Sequence, residues 1–247
     1  MNRLIELPDK GTAVFIGDTH GDYNSSRIII KNFIKKAHHY VVCLGDYVDR
    51  GAESKKNIEF LLETRQKHEN LILLAGNHEM FPVIECTPSD FWDNLSVEDF
   101  DCYKKAFQDL PLAVSGNGFL ALHGALPDVN DLKDINNIQV CDENWTRILW
   151  GDFRDKNQEE LRNLTGRPKF GREYFDRIMK RLGKNVLVRS HDPTANERMF
   201  ENRCLTLFTS SAYGEKKRKI GICSLEKEIR STDDIQIISL DAQEIAI

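Results

Sequence analysis

Several absences narrow this sequence before any motif is read. No run of apolar residues approaches the ~20 that a membrane-spanning helix needs, and Met1 to Gly11 lacks the apolar centre of a secretory leader. A cytoplasmic protein with no membrane partner is expected. Positive charge is not in excess either, because 34 Lys and Arg stand against 39 Asp and Glu for a formal net charge of -5. Domains that grip nucleic acid are usually strongly basic, so nucleic acid is not expected as a partner. The one basic run, Lys216-Lys217-Arg218-Lys219, reads as a solvated turn. Cys43, Cys86, Cys102, Cys141, Cys204 and Cys223 form no Cys-x-x-Cys pair. A core of this size needs no disulfide staples, so the thiols are expected reduced, with Cys43 and Cys204 packed as small core residues. Repeats, low-complexity tracts and linkers are also missing, and residues 1–247 are read as one domain.

What the chain does contain is a regular alternation at its front. Apolar runs at 13–17, 40–45 and 71–75 read as buried strands, and amphipathic patterns at 24–37 and 54–67 read as helices, the second opened by Ser54. This is a βαβαβ series. A helix over 97–109 follows, then a hairpin of 111–115 and 119–122 around Gly116-Asn117-Gly118, a turn rich in residues that accept positive φ. Helices are expected at 143–150 and 171–182. Strands are expected at 186–190, 198–201, 204–209, 218–224 and 235–240, with a turn near Asn202.

Five polar motifs sit at the ends of apolar runs: Gly17-Asp18-Thr19-His20-Gly21, Gly45-Asp46-Tyr47-Val48-Asp49-Arg50-Gly51, Gly76-Asn77-His78-Glu79, His123-Gly124 and Arg189-Ser190-His191. Asp18, Asp46 and Asn77 are separated by 28 and 31 residues, close to the ~30 that one βαβ unit spans. Right-handed crossovers would bring the first three motifs to one rim, at the carboxyl ends of parallel strands where such sheets bind ligands. Asp18 and His20, two apart, would point the same way in a continuing strand and share one cation. Asp46 can bridge two cations with its two oxygens, and Asn77, His123 and His191 would complete the second. Oxygen and imidazole donors without thiolate favour Mn²⁺, with Fe²⁺ or Zn²⁺ as alternatives. Two divalent ions, two aspartates and a bridging hydroxide leave a small positive charge, suited to a phosphate dianion. Ions about 3.5–4 Å apart can generate a nucleophile near neutral pH and stabilise an in-line displacement. His38, His39 and His68 lack such context and read as solvated residues on helical segments.

In this order the motifs resemble the signature of the phosphoprotein phosphatases, the metal-dependent serine/threonine phosphatases of the calcineurin-like metallophosphoesterase superfamily. The likeness continues through Leu149-Trp150 with Asp152, Phe170-Gly171, and Leu205-Thr206-Leu207-Phe208 leading to Tyr213. It implies an α/β metallophosphoesterase fold, two packed mixed β-sheets flanked by helices, in a compact prokaryotic-type member without room for a regulatory tail. It further implies that Asp18, His20 and Asp46 hold one metal, and Asp46, Asn77, His123 and His191 the other. His78 would be the general acid, Asp49 would hold its imidazolium, and Arg50 would clamp the phosphate. Asn77 would also touch substrate. A second phosphate arginine is expected before Phe170-Gly171, with Arg167 preferred over Arg162, and Tyr213 would overhang the centre. Glu79 is taken as structural support.

The implied activity is hydrolysis of phosphoserine and phosphothreonine in proteins by direct attack of a hydroxide shared by the two ions. Phosphoprotein substrates and a monomeric state are expected. Symmetrical dinucleoside polyphosphate hydrolases resemble the same motifs and supply the alternative, although they tend to carry Asp where this chain has Glu79. An inactive binding scaffold is a third reading, which the intact ligand and acid positions disfavour.

Overall fold

Three strands near the amino terminus are built from apolar residues on both faces, as strands buried between layers require. The computed structural model of the chain describes residues 2–155, 160–162, 167–214 and 218–240. In chain order these form β1 (Leu4–Glu6), β2 (Thr12–Ile16), α1 (Tyr23–Phe33), β3 (His39–Cys43), α2 (Ser54–Lys67), β4 (Leu71–Leu73), α3 (Asp90–Asp93), α4 (Val97–Gln108), β5 (Ala113–Gly116) and β6 (Phe119–Leu122). There follow α5 (Glu143–Trp150), β7 (Asp152–Phe153), β8 (Glu160–Arg162), β9 (Pro168–Phe170), α6 (Arg172–Arg181), β10 (Val186–Arg189), β11 (Arg198–Met199), β12 (Cys204–Thr206), β13 (Lys219–Ser224) and β14 (Gln236–Ser239).

The strands make a five-stranded sheet, β14-β13-β2-β3-β4, and a six-stranded sheet, β1-β5-β6-β10-β12-β11. Both are mixed: β2, β3 and β4 run parallel while β13 lies antiparallel to β2, and β10 runs parallel to β6 and β12 while β5 and β6 form a hairpin. Alternation along each strand assigns the layers. Ala13, Phe15, Val42, Leu44, Ile72 and Leu74 cluster with Val114, Phe119, Ala121, Val186, Val188 and Leu205 of the other sheet, and the rings of Phe15 and Phe119 meet edge to face at 5.3 Å. Val14, Ile16, Val41 and Cys43 turn the other way, into a cluster with Ile29 and Phe33 of α1 and Ile58 and Leu61 of α2. Two facing sheets flanked by helices are thus the architecture that the resemblance implies.

Local chemistry sets the element ends. The Asp22 carboxylate caps α1 by accepting the Ser25 amide at 3.0 Å. α2 opens at Ser54, as expected from sequence, and the Ser54 hydroxyl donates to the Gly51 carbonyl at 3.1 Å. Phe200, Glu201 and Asn202 all have positive φ, which makes the tight turn between β11 and β12. The third sheet, β7-β9-β8, and the edge strand β1 were not expected from sequence. The partner of β1 lies far along the chain, at β5, and strands of two or three residues such as β7, β8 and β9 carry too little periodicity to read. The three bland histidines are also placed differently: His39 begins β3 and stacks on Phe33 at 6.2 Å, while His38 and His68 lie in connections beyond α1 and α2. Of the basic run, Lys216 and Lys217 lie outside the described residues. Arg218 bonds Ser25 and pairs with Asp22 at 3.3 Å, and Lys219 pairs with Glu197.

Among the described residues, no helix is long and apolar enough to cross a membrane.

Candidate metal centre and active site

The rim where β2, β3 and β4 end carries the first three motifs, and the loops after β6 and β10 bring His123 and His191 to the same place. Asp18 does not continue β2 as a strand; it makes an isolated bridge to Phe208, and the chain turns at His20 with φ of 40°. The expectation that Asp18 and His20 share a strand face is therefore wrong in its reason, although both side chains do converge. Asp46, Asp49, Arg50 and His191 also adopt positive φ, between 55° and 75°. Non-glycine residues seldom occupy this region, and such strain is held by surrounding structure at sites of function.

Glycines make the close approach possible at two points. A Cβ on Gly45, itself at φ +105°, would meet Gly76 at 2.7 Å and the His123 ring at 2.9 Å, and a Cβ on Gly76 would strike the Asp46 carboxylate at 2.3 Å. Glu79 then locks the two loops together. Its carboxylate accepts the amides of Asp46, Tyr47 and Gly76 at 2.8, 2.8 and 3.0 Å. Burial and the Asp46 carboxylate push Glu79 up to about 8, against the amides that favour its ionised form. The reading of Glu79 as structural support leads to a prediction. Glu79→Ala should destabilise the fold by ~3 kcal/mol or more, since it orphans three buried donors, and urea unfolding will measure it. Stability equal to wild type would remove Glu79 from this role.

The converging donor atoms fit cations better than they fit one another. His123 Nδ1 donates to the Leu44 carbonyl at 2.9 Å, which leaves Nε2 as a lone pair. That Nε2 faces Asn77 Oδ1 at 3.1 Å, His191 Nδ1 at 3.1 Å and Asp46 Oδ1 at 3.5 Å. His191 Nε2 lies 3.7 Å from Asp152 Oδ1, and both atoms are buried without a hydrogen-bond partner among the described residues. On the other side His20 Nδ1 meets the Val48 carbonyl at 2.7 Å, and its Nε2 lies 3.8 Å from Asp18 Oδ2 and 3.6 Å from Asp46 Oδ2. Asp18 Oδ2 is buried without a hydrogen-bond partner among the described residues. Ligand-type atoms packed this closely, with Asp18 Oδ2 and His191 Nε2 unpartnered among the described residues, are what two cations would satisfy.

The electrostatics agree. Burial lowers His20 to about 3, lowers His123, and drops His191 well below its ordinary value, so all three imidazoles are held neutral. Burial and then Asp46 raise Asp18. Burial also works to raise Asp46, but the imidazoles of His123, His78, His20 and His191 outweigh it and hold this carboxylate low. His78 behaves differently. Burial works to lower it, yet Asp46 and the hydrogen bond to Asp49 hold it well above the ordinary imidazole range. Its Nδ1 donates to Asp49 Oδ2 at 2.7 Å, and Asp49 Oδ1 is itself fixed by the Phe91 amide at 2.8 Å. The His78 amide donates to Asp46 Oδ1 at 3.0 Å, and the Trp92 indole N–H donates to the His78 carbonyl at 2.9 Å. Only Nε2 of this ring is left toward the cleft.

Two adjoining clefts, of about 460 and 350 Å³, share Arg50, Asn77, His78 and Arg167 in their walls. Arg50 lies over the Tyr213 ring at 5.7 Å and Arg167 over Trp150 at 5.5 Å. Tyr213 meets the His20 ring at 5.4 Å. The side chain of Arg162, the other candidate arginine, lies outside the described residues.

Three neighbours of the centre were not singled out from sequence: Cys86, 3.6 Å from His78 Nδ1; Arg154; and Lys169. Asp152 entered only as part of a motif, yet its carboxylate approaches both His191 and the buried Arg189, the latter at 3.9 Å. No local signal marks any of them, because each is brought in by the small third sheet or by the loop after His78.

Comparison with known proteins follows the same lines. The chain is 27% identical over 254 residues to a probable serine/threonine-protein phosphatase of Encephalitozoon cuniculi, covering 96% of this chain and 55% of that protein. It thus spans about half the length of this curated relative. A protein serine/threonine phosphatase from Saccharomyces cerevisiae superposes with a TM-score of 0.80 at 23% identity, over 98% of this chain and 85% of that one. A candidate diadenosine tetraphosphatase superposes with a TM-score of 0.59 at 15% identity, over 96% of this chain and 98% of that one. These two likenesses speak for the fold. The calcineurin-like phosphoesterase family matches from residue 11 to residue 195, and by that match the chain belongs to this family.

Proposed function

We propose that this protein hydrolyses phosphoserine and phosphothreonine monoesters in proteins, with Asp18, His20 and Asp46 holding one divalent ion and Asp46, Asn77, His123 and His191 the other. Mn²⁺ is the favoured ion. Two such ions supply a nucleophile by acidifying water and offset charge on the phosphate. Arg50 and Arg167, which both line the two adjoining clefts, orient the phosphate oxygens. Tyr213, between Arg50 and His20, covers the centre. His78 Nε2 donates a proton to the departing serine or threonine oxygen, while Asp49 keeps the ring charged and aimed. The His78–Asp49 pair beside the Asp46 carboxylate carries this reading, since a poor alkoxide leaving group needs an acid where an anhydride does not.

The reading makes a stereochemical prediction. Hydrolysis of an ester chiral at phosphorus should proceed with inversion and place one solvent oxygen in the phosphate, because no side chain is assigned as nucleophile. Retention would indicate a phosphoenzyme and overturn direct displacement. A comparison of kcat/KM with Mn²⁺ on phosphothreonine peptide, phosphotyrosine peptide and diadenosine tetraphosphate then separates the alternatives. Preference for the dinucleotide supports the polyphosphate hydrolase reading.

A further inference from the structure

The two clefts that meet at Arg50, Asn77, His78 and Arg167 differ in the charge of their outer walls. One carries Glu85, which is exposed, beside Ile84, Thr87 and Trp150. The other carries Arg154 and Lys169, with Asp152 and Asp192. Lys169 is placed there by strand pairing. In the parallel ladder of β7 and β9 it stands directly opposite Asp152, so the two side chains share a face, and Asp152 is known to look into the centre through His191.

The ion pairs along this wall leave Lys169 over. Arg154 is bonded to Asp192 and lies 3.7 Å from Asp152. Asp152 also answers the buried Arg189 at 3.9 Å. Each of the two carboxylates lies within 4 Å of an arginine, although Asp152 Oδ1 accepts no hydrogen bond, and Lys169 has no ion pair or hydrogen bond with its side chain among the described residues. A half-buried ammonium on a cleft wall, with its neighbours already paired, attracts an anion from outside.

We infer that Lys169 forms a subsite for a second anionic group of the substrate, a glutamate, aspartate or further phosphoresidue flanking the scissile phosphoserine or phosphothreonine. This rests on the protein phosphatase reading and gives it a direction: acidic flanks lie along the β9 wall, and the Glu85 wall disfavours them. The cleft is thus polarised, and a flank of one charge binds on one side only.

The test uses the intact Mn²⁺-loaded protein and four substrates at low salt: nitrophenyl phosphate, and phosphothreonine peptides flanked by alanines, by glutamates on the amino side, or by glutamates on the carboxyl side. One glutamate peptide should exceed the alanine peptide in kcat/KM by about 2- to 5-fold, the range of a partly exposed ion pair, and the gain should shrink as salt is raised. Lys169→Gln should abolish the gain, and Lys169→Glu should turn it into a penalty. Nitrophenyl phosphate, which has no flank, should be hydrolysed equally by all three proteins and reports that the variants are folded. Turnover of every peptide without preference overturns the subsite alone, as does a preference that survives in both variants or a parallel loss on nitrophenyl phosphate. Absence of turnover on every phosphopeptide, with diadenosine tetraphosphate hydrolysed instead, overturns the phosphatase reading and the subsite with it.

Discussion

Asp46→Asn should leave the protein unable to hold two ions and should lower kcat/KM on nitrophenyl phosphate by roughly three orders of magnitude or more. The residue belongs to two of the three groups of possible ligands among the described residues, His20–Asp46–His78 and Asp46–His123–His191. Its Oδ2 faces His20 and its Oδ1 faces His123, so one carboxylate serves both sides. An amide has one good donor oxygen and no charge, and the several kcal/mol that metal charge supplies to a phosphoryl transition state correspond to ~10³ or more in rate. The fold should survive, because Asn keeps the oxygen that accepts the His78 amide and removes the charge facing buried Asp18. In thermal unfolding, wild type should gain stability as Mn²⁺ rises, by linkage to the folded state, and the variant should gain much less. Two bound ions per chain with activity within tenfold of wild type would take the bridging role from Asp46.

His78→Asn should separate acid catalysis from ion binding. Since His78 also lies within reach of His20 and Asp46, its role as a ligand is a real competitor, and the variant decides between the two. The ring is tied at Nδ1 to Asp49, and the Asn side chain cannot reproduce an imidazolium, whereas the backbone amide to Asp46 is unaffected. The expected result is two retained ions and a loss of ~10² to 10⁴ on phosphoserine and alkyl phosphates, with a much smaller loss on nitrophenyl phosphate, whose leaving group needs no proton. Equal losses on both substrates, or a missing ion, would assign His78 to the metal instead.

Much of this site is legible in the sequence alone. The Gly-Asp-x-His-Gly, Gly-Asp-x-Val-Asp-Arg-Gly and Gly-Asn-His-Glu motifs follow buried strands at the spacing of βαβ units, and parallel pairing of β2, β3 and β4 does bring them to one rim. His123 and His191 were harder, since each is a single histidine after a strand of the second sheet. They become ligand candidates through motif order and resemblance, and the parallel pairing of β6 with β10 inside that sheet brings their rings to 4.8 Å. Arg167 is named from the resemblance alone, over Arg162, because the residues before Phe170-Gly171 carry no strong local pattern. Its place in the same clefts as Arg50 follows from β9, a strand of three residues whose partners are as short as itself.

Local pattern by itself determined the order of strands and helices through the core, the layer each apolar residue joins, and the kinds of atom offered to a cation. Those properties depend on side-chain period and donor chemistry, which are written residue by residue. Only the tertiary structure decided how the donors face one another: the left-handed turns at His20, Asp46 and His191, the three amides gathered by Glu79, and the pairing that leaves Lys169 unmatched on the cleft wall. Each of these joins segments distant in the chain, and the strain or charge they hold is stable only because the packed sheets over-determine it.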